Sequence, residues 1–218
     1  MAAPTLVMAT RNPGKVREFK ALLRGLRLKL LSLADFPDLP EIPESGDTFA
    51  ENAGAKAREV ARLTGLPALA DDSGLEVQAL GGRPGVFSAR YAQDRTAPRP
   101  PEDKDNWTKL LAEMQEVPWE ARGARFVCEI ALALPDGRLF KARGECAGYI
   151  AREPRGEQGF GYDPVFWVPQ QKRTMAELAP RVKNRISHRA RALKALKELV
   201  RSLREELGSG QWPVGSGQ

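Results

Sequence analysis

The stretch Thr5-Leu-Val-Met-Ala-Thr10, followed by Arg11-Asn-Pro-Gly-Lys15, decides the fold class. Its first residues form a short apolar run of the kind that predicts a buried strand. Pro13 suits the first turn of a helix, because its missing N–H would have had no intrahelical partner there. The amphipathic pattern then continues to about Leu23. A buried strand that leads at once into a helix is typical of an α/β fold.

The following segment repeats this alternation of strand and helix. A second strand is expected over residues 27–32. Further on, Thr48 and Glu51 form a capping-box signature, which marks the start of a helix. That helix should continue to about Thr64, where Gly65 is placed to end it.

The rest of the chain contains both strand and helix patterns. Residues 67–71 predict a short buried strand, after which Asp72-Ser-Gly74 is expected to turn the chain. The remaining expected elements are a loop over 81–101, a helix over 102–115, a hairpin with strands over 124–134 and 138–149, a loop over 156–169 and a last helix over 184–207. Because helices alternate with strands early and a hairpin follows, we expect an α/β fold with a mixed β-sheet flanked by helices.

Length and composition limit the classes of protein to which this chain can belong. Residues 1–207 are expected to form a single domain, and the Gly- and Ser-rich residues 208–218 a flexible C-terminal tail. No apolar run approaches the roughly 18 residues of a membrane span. Residues 1–9 lack the basic region and long apolar stretch of a signal peptide. We therefore expect a cytoplasmic protein with no membrane partner.

The net charge of +6 comes from one place in the chain. Residues 181–206 carry nine Lys or Arg against three Glu, whereas no basic residue lies between Lys29 and Lys56. One segment could therefore hold an anion and another a cation. Solvated surface charge is the simpler explanation for most of these residues.

The connection from Thr10 to Lys15 is the first candidate site. A strand-to-helix turn with Gly14 and Lys15 offers backbone N–H groups, a helix dipole and an ammonium group to an anion. The two-glycine frame of a Walker loop is absent. The alternative is an ordinary strand–helix connection.

Acidic residues form the second candidate. Asp71 and Asp72 lie at a strand end, where one carboxylate could hold Mg²⁺ or orient a water and Ser73 could contact a phosphate. Glu44 and Glu51 could supply further ligands. The alternative is a solvated turn.

Two C-terminal motifs complete the candidates. Gly159-Phe-Gly-Tyr-Asp-Pro164 could stack a purine on Phe160, or could be a tight turn with one buried aromatic ring. Lys183-Asn-Arg-Ile-Ser-His-Arg189 is expected at the start of the last helix. His188, the only histidine, would lie about 200° from Ile186 around that helix and thus away from the core. A solvated basic helix end is the alternative.

Taken in order, these motifs resemble the inosine triphosphate pyrophosphatase family, also called the dITP/XTP pyrophosphatases. The similarity extends to about residue 203 and rests on seven stretches: Ala9-Thr-Arg-Asn-Pro-Gly-Lys-Val-Arg-Glu18, Glu44-Ser-Gly-Asp-Thr-Phe-Ala-Glu-Asn-Ala53, Ala70-Asp-Asp-Ser-Gly-Leu-Glu-Val77, Pro84-Gly-Val-Phe-Ser-Ala-Arg-Tyr91, Gly159-Phe-Gly-Tyr-Asp-Pro-Val-Phe166, Met175-Ala-Glu-Leu178 and Lys183-Asn-Arg-Ile-Ser-His-Arg189.

This resemblance implies an elongated α/β protein with two lobes and a central active-site cleft, a homodimer that uses Mg²⁺. It implies hydrolysis of deaminated purine nucleoside triphosphates (ITP, dITP and XTP) between the α- and β-phosphates. Glu44 and Asp72 would serve the metal, and Asp72 would accept the proton of the attacking water. The implied substrate-binding residues are Thr10, Arg11, Asn12, Pro13, Gly14 and Lys15, with Lys56 and Ser73, then Phe160, Gly161, Tyr162 and Asp163, and finally Lys183, His188 and Arg189.

The chain departs from the family pattern in residues 93–105, which are rich in Pro and charge and are expected to touch none of these residues. Two other functions stay open. A related pyrophosphatase would act on other modified triphosphates, such as pyrimidine or methylated ones. A nucleic-acid-binding module would use the basic C-terminal helix, although the resemblance implies no nucleic-acid partner, and its affinity would fall steeply with salt.

Overall fold

A computed structural model of the protein describes residues 4–26, 28–94 and 99–206. The expected tail at 208–218 lies outside these residues, as do position 27 of the expected second strand and part of the 93–105 segment. Within the described ranges, no helix is long and apolar enough to cross a bilayer.

The described strands form one mixed sheet, which confirms the expected α/β class. Its strand order is β2-β1-β3-β4-β5-β6-β7. β1 pairs in parallel with both β2 and β3, whereas β6 is antiparallel to both β5 and β7. The strands are β1 (Thr5–Met8), β2 (Lys29–Ser32), β3 (Ala68–Val77), β4 (Gly123–Ala133), β5 (Leu139–Ile150), β6 (Phe166–Val168) and β7 (Arg173–Thr174).

The helices of the described part are α1 (Pro13–Leu22), α2 (Phe49–Thr64), α3 (Asp103–Glu113), α4 (Pro180–Ile186) and α5 (His188–Glu206). The prediction for α2 is confirmed at both ends. Thr48 Oγ1 accepts a hydrogen bond from Glu51 N, and the Glu51 carboxylate accepts one from Thr48 N in return. Gly65 follows the helix with φ of 65°, a left-handed conformation that glycine adopts without the steric penalty of a side chain.

The chain divides into two compact units, with boundaries inside β3, β4 and β5. The first unit contains the residues up to Asp72, Glu129–Gly144 and the residues from Ala190 onward. Its core is rich in small side chains, among them Ala53, Ala57 and Ala61 on the buried face of α2. Alanine lets a helix lie close to its neighbours while it keeps high helix propensity.

The second unit contains Ser73–Cys128 and Glu145–Arg189. Its core has larger side chains, including Leu75, Phe126 and Phe166. The rings of Phe126 and Phe166 lie with their centroids 4.4 Å apart. Cys128 and Cys146 are both buried in this unit.

The expected turn at Asp72-Ser73-Gly74 is wrong, because β3 runs without interruption from Ala68 to Val77. Ala68 and Ala70 are buried in the core of the first unit, and Leu75 and Val77 in that of the second. Burial on both sides of the polar triplet therefore outweighs its turn propensity. Asp72 and Ser73 lie in the middle of a buried strand.

The expected continuous helix from residue 184 is also wrong. α4 ends at Ile186, Ser187 is extended with ψ of 155°, and α5 begins at His188. Pro180 stands at the first position of α4, where proline is favoured. The motif Lys183–Arg189 thus spans the end of one helix, a break and the start of the next.

Candidate functional site

Asn12 caps the N-terminus of α1 with its own side chain. Its Oδ1 accepts hydrogen bonds from Gly14 N at 2.8 Å and Lys15 N at 3.1 Å. Asn12 N in turn donates to Thr10 Oγ1 at 3.1 Å. The backbone N–H groups of Gly14 and Lys15, expected to face an anion, are therefore hydrogen-bonded to Asn12 in this structure. Attraction for an anion here comes from the Lys15 ammonium and the helix dipole.

The Lys15 side chain lies against Asp71, inside the strand that carries the acidic pair. Its Nζ is 3.1 Å from Oδ2 of Asp71 and 3.4 Å from the Asp71 backbone oxygen. The Asp71 carboxylate is completely buried. The attraction within such an ion pair must offset the hydration that both groups lose, so the pair is weak evidence for a stabilising role. The Arg11 side chain instead donates a hydrogen bond to Leu39 O.

Asp72 is buried and accepts a hydrogen bond from Asn52 Nδ2 at 2.9 Å. Burial raises the pKa of the Asp72 carboxyl, and the neighbouring Asp71 raises it further. The Asn52 hydrogen bond and the charges of Lys15 and Lys56 act in the opposite direction without overcoming burial. A carboxylate whose pKa is raised towards neutrality is a better proton acceptor than an ordinary aspartate.

Lys56, on α2, forms an ion pair with Glu44. Burial lowers the pKa of the Lys56 ammonium, repulsion from Lys15 lowers it further, and Asp71 and Asp72 partly offset both. The two lysines and two aspartates therefore form one electrostatic group, which we call the lysine–aspartate cluster (Lys15, Lys56, Asp71 and Asp72). All four residues belong to the first unit.

The donor set around this cluster fits a hard divalent cation. Among the described residues, no three His, Cys, Asp or Glu side chains are grouped closely enough to hold a metal by themselves. Mg²⁺ does not require such a cage, since it keeps several waters and is usually bound by one or two carboxylates together with substrate phosphates. Glu44, Asp71 and Asp72 offer carboxylate oxygens of this kind in the first unit.

The second unit contains a tight turn, called here the aromatic turn, which consists of Gly159, Phe160, Gly161, Tyr162 and Asp163. Asp163 Oδ2 accepts hydrogen bonds from Phe160 N at 2.9 Å and Lys183 Nζ at 2.5 Å. A Cβ on Gly159 would lie 1.9 Å from the same oxygen. Only glycine fits there, because the carboxylate fills the space that a side chain would need.

Two cations lie over the Phe160 ring. Lys183 Nζ is 4.9 Å and Arg189 Cζ 5.6 Å from its centroid. Both cationic residues are buried, and Arg189 Nη2 also donates to Ser73 Oγ at 2.8 Å. The sequence-predicted residues Ser73, Phe160, Asp163, Lys183 and Arg189 are thus brought together as one group in the second unit.

Tyr162 and His188 have a different environment from the one expected. Tyr162 is 5% exposed and donates from its hydroxyl to Ser88 O, so its side chain belongs to the core. His188 is 6% exposed and stacks on Phe126 with centroids 4.7 Å apart. The expectation that His188 points away from the core is wrong, because the rotation of 100° per residue holds only within one helix and the chain breaks at Ser187.

Sequence reasoning singled out none of three residues that contact the predicted site residues within one unit or the other. The only indication for Asn52 was the scarcity of its residue type, since asparagine occurs only four times in the chain. Asp71 was noted only as part of a pair. Asp103 accepts a hydrogen bond from Gly161 N at 2.6 Å, so the expectation that residues 93–105 touch no site residue is wrong.

Comparison with known proteins gives consistent matches over nearly the whole chain. The model of the Ham1 family matches residues 6–199. The chain is 54% identical to the dITP/XTP pyrophosphatase of Geobacter sulfurreducens over 193 residues, which covers 88% of this chain and 94% of that protein. It is also 54% identical to the dITP/XTP pyrophosphatase of Geobacillus kaustophilus over 194 residues, covering 88% and 92%.

Among solved structures, a HAM1 protein from Coxiella burnetii matches with a TM-score of 0.79 and 45% identity. The match covers 91% of this chain and 99% of the Coxiella chain. These findings confirm the resemblance drawn from the motifs, and they extend it from seven separate stretches to continuous similarity. The chain belongs to the Ham1 family.

Proposed function

We propose that this protein is a pyrophosphatase that hydrolyses deaminated purine nucleoside triphosphates (ITP, dITP and XTP) to the nucleoside monophosphate and pyrophosphate. The observation that carries the proposal is the lysine–aspartate cluster, in which a buried Asp72 with a raised pKa lies in the field of two lysines. The similarity to relatives named dITP/XTP pyrophosphatases supports the choice of substrate.

In the proposed reaction, Lys15 and Lys56 neutralise the triphosphate. Asp72 takes a proton from the attacking water, the bond between the α- and β-phosphates breaks, and pyrophosphate leaves. Lys15 and Lys56 balance the charge that develops on the leaving oxygen. The position of Lys15 at the start of α1 is maintained by Thr10, Asn12 and Gly14.

Mg²⁺ is part of the proposal as the cofactor, and Glu44 and Asp72 would hold it. When bound, it would neutralise phosphate charge and raise the acidity of a coordinated water. With Glu44 engaged by the metal, Lys56, its ion-pair partner in this structure, would be available to meet the phosphates.

The residues around the aromatic turn are proposed to recognise the base. Hypoxanthine and xanthine present an acceptor at the 6-position, whereas adenine presents an amino donor. The side chains of Lys183 and Arg189 are donors only, so an adenine amino group would leave buried donors facing one another. Sites that reject a substrate by mismatched buried hydrogen bonds can discriminate strongly.

The test is pyrophosphate release from a panel of triphosphates with Mg²⁺, comparing wild type with Asp72→Asn and with Asp38→Asn, an exposed acidic residue of the same unit. We expect turnover of ITP, dITP and XTP to exceed that of ATP in wild type and in the Asp38 variant, and to be lost in the Asp72 variant. Equal turnover of all purines would refute the assignment of the base site. A folded, Mg²⁺-loaded protein that cleaves none of them would refute the proposed function.

A homodimer in the cytoplasm also belongs to the proposal, on the strength of the family resemblance. Sedimentation equilibrium of the purified chain tests the dimer. A monomeric mass at micromolar concentration would contradict it.

A further inference from the structure

The aromatic turn is fixed from inside the second unit by two buried contacts. The carboxylate of Asp163 binds Phe160 N and Lys183 Nζ, which holds the first half of the turn. The hydroxyl of Tyr162 donates to Ser88 O at 2.9 Å, which holds the second half. Gly161 lies between these two anchors, and neither of them contacts its peptide N–H.

The space beside the Gly161 Cα, where a side chain would lie, is open. A Cβ built on this residue would meet no atom within 4 Å, and its φ is +63°. Glycine reaches more backbone conformations than any other residue, so the turn can rotate at this joint within the limits that its hydrogen bonds set. One of these closes the turn across Gly161, from Asp163 N to Phe160 O at 3.3 Å. Any rotation at this joint moves the neighbouring Phe160 relative to Lys183 and Arg189.

A second, shorter contact that restrains this joint comes from α3. Oδ2 of Asp103, at the first position of α3, accepts a hydrogen bond from Gly161 N at 2.6 Å. Hydrogen bonds with a charged acceptor are shorter and stronger than neutral ones. The helix itself is well anchored, because buried Asn106 accepts from Ala92 N and donates to Ala89 O.

We propose that Asp103 is a positioning residue that fixes the Phe160 ring for base recognition by holding the Gly161 peptide. The inference rests on the proposed function, since it assigns the selectivity of the same site partly to the 93–105 segment. Asp103 touches no substrate in this proposal and acts only through the aromatic turn. Its loss therefore affects substrate binding and base selectivity, whereas the lysine–aspartate cluster, to which it does not belong, keeps its chemistry.

The experiment compares Asp103→Asn with Asp103→Leu in the full-length protein. The two variants have the same charge and the same branched skeleton of four side-chain heavy atoms, so any helix-dipole effect is equal in both. Asn keeps an oxygen acceptor for Gly161 N and Leu does not. Hydrogen exchange of the Gly161 amide, followed by NMR without nucleotide, reports the contact itself, and steady-state kinetics with ITP and ATP report its consequence.

We expect slow Gly161 exchange and a nearly unchanged KM for ITP in wild type and the Asn variant. The Leu variant should show faster exchange, a KM raised by about three- to tenfold, a kcat within about twofold of wild type and a lower preference for ITP over ATP. Equal exchange and equal KM in the Asn and Leu variants would overturn the proposal. So would a loss confined to kcat.

The exchange measurement separates this inference from the proposed function. If wild type hydrolyses no triphosphate, the proposed function fails, and the inference about base selectivity falls with it. If wild type prefers ITP but the Leu variant retains slow Gly161 exchange and normal KM, only the role of Asp103 fails. Thermal unfolding of both variants verifies that each is folded under the assay conditions.

Discussion

Asn52 donates a hydrogen bond of 2.9 Å from Nδ2 to Oδ2 of Asp72, and both side chains are buried. The same amide accepts from Gly46 N at 2.8 Å through its Oδ1, so its orientation is fixed from the other side. Asn52 is thus a neutral, oriented donor to a carboxyl whose pKa burial raises. It connects the acidic loop before α2 to the middle of β3.

Replacing Asn52 should move the acid limb of the pH–rate profile. The Asn52 hydrogen bond lowers the pKa of Asp72, so its removal in Asn52→Ala raises that pKa, and activity is lost at a higher pH than in wild type. Asn52→Asp should move the limb further, because it adds a like charge while it keeps an acceptor for Gly46 N. The measurement is kcat/KM for ITP against pH at constant free Mg²⁺. An acid limb that stays in place in both variants would contradict the role given to Asn52.

Asp72→Asn should make the metal-free protein more stable while it removes activity. The folded-state pKa of Asp72 lies above its ordinary value, so the ionised carboxylate disfavours folding at neutral pH. Stability from this group is present at low pH and is lost as the pH rises from the ordinary value through the raised one. Thermal unfolding in EDTA should therefore give a higher Tm for the variant at pH 7, by a few degrees.

The same linkage provides the control for this prediction. As the pH falls through the raised pKa, the wild-type Asp72 carboxyl becomes protonated, so the difference in Tm between the two proteins should shrink. A variant less stable than wild type at pH 7 would mean that the attraction of Lys15 and Lys56 for Asp72 exceeds the penalty of burial.

Sequence motifs correctly predicted those parts of the fold that are stabilised by contacts between residues close together in the sequence. The capping box at Thr48 and the glycine at Gly65 satisfy the ends of α2 within a few residues, so the sequence predicts both ends correctly. The polar triplet Asp72-Ser73-Gly74 has turn propensity, but β3 continues through it because residues on both sides are buried in distant contacts. Propensity is a weak prior wherever tertiary packing decides.

The same distinction applies to the candidate site. Lys15, Asp72, Lys183 and Arg189 are recognisable because their motifs are contiguous in sequence. Asp103 is not, because its contact with Gly161 joins residues 58 positions apart and uses a backbone N–H that no side-chain pattern reveals. The predicted direction of His188 was wrong for a local reason. The extended residue Ser187 separates two helices, so the angle between Ile186 and His188 does not follow from one helix.

Lys56 should make substrate binding sensitive to alkaline pH. Burial and repulsion from Lys15 lower the pKa of Lys56, so it loses its charge at a lower pH than an ordinary lysine. KM for ITP in wild type should therefore rise on the alkaline side, whereas Lys56→Arg, which stays charged, should keep a low KM to higher pH. Lys56→Met should raise KM by about ten- to a hundredfold at all pH values. If the Arg variant reproduces the wild-type alkaline rise, another group causes it.

Substitutions at Gly159 and Gly161 form a matched pair. They test whether substrate binding depends on the conformation of the aromatic turn. Both glycines have positive φ, +87° and +63°, so alanine is disfavoured at either position by the backbone alone, by about 1–2 kcal/mol. At Gly159 a Cβ would also lie 1.9 Å from Asp163 Oδ2, the oxygen that binds Phe160 N and Lys183 Nζ, whereas at Gly161 it meets open space.

Gly159→Ala should consequently break the Asp163 contacts and lower kcat/KM for ITP by about a hundredfold, while Gly161→Ala lowers it several times less. Thermal unfolding should show the same order, because only the first substitution displaces a buried carboxylate from its ion pair with Lys183. Steady-state kinetics and Tm are measured on both variants under the same conditions. Equal losses in the two variants would mean that backbone conformation alone, and not the Asp163–Lys183 pair, determines the shape of the site.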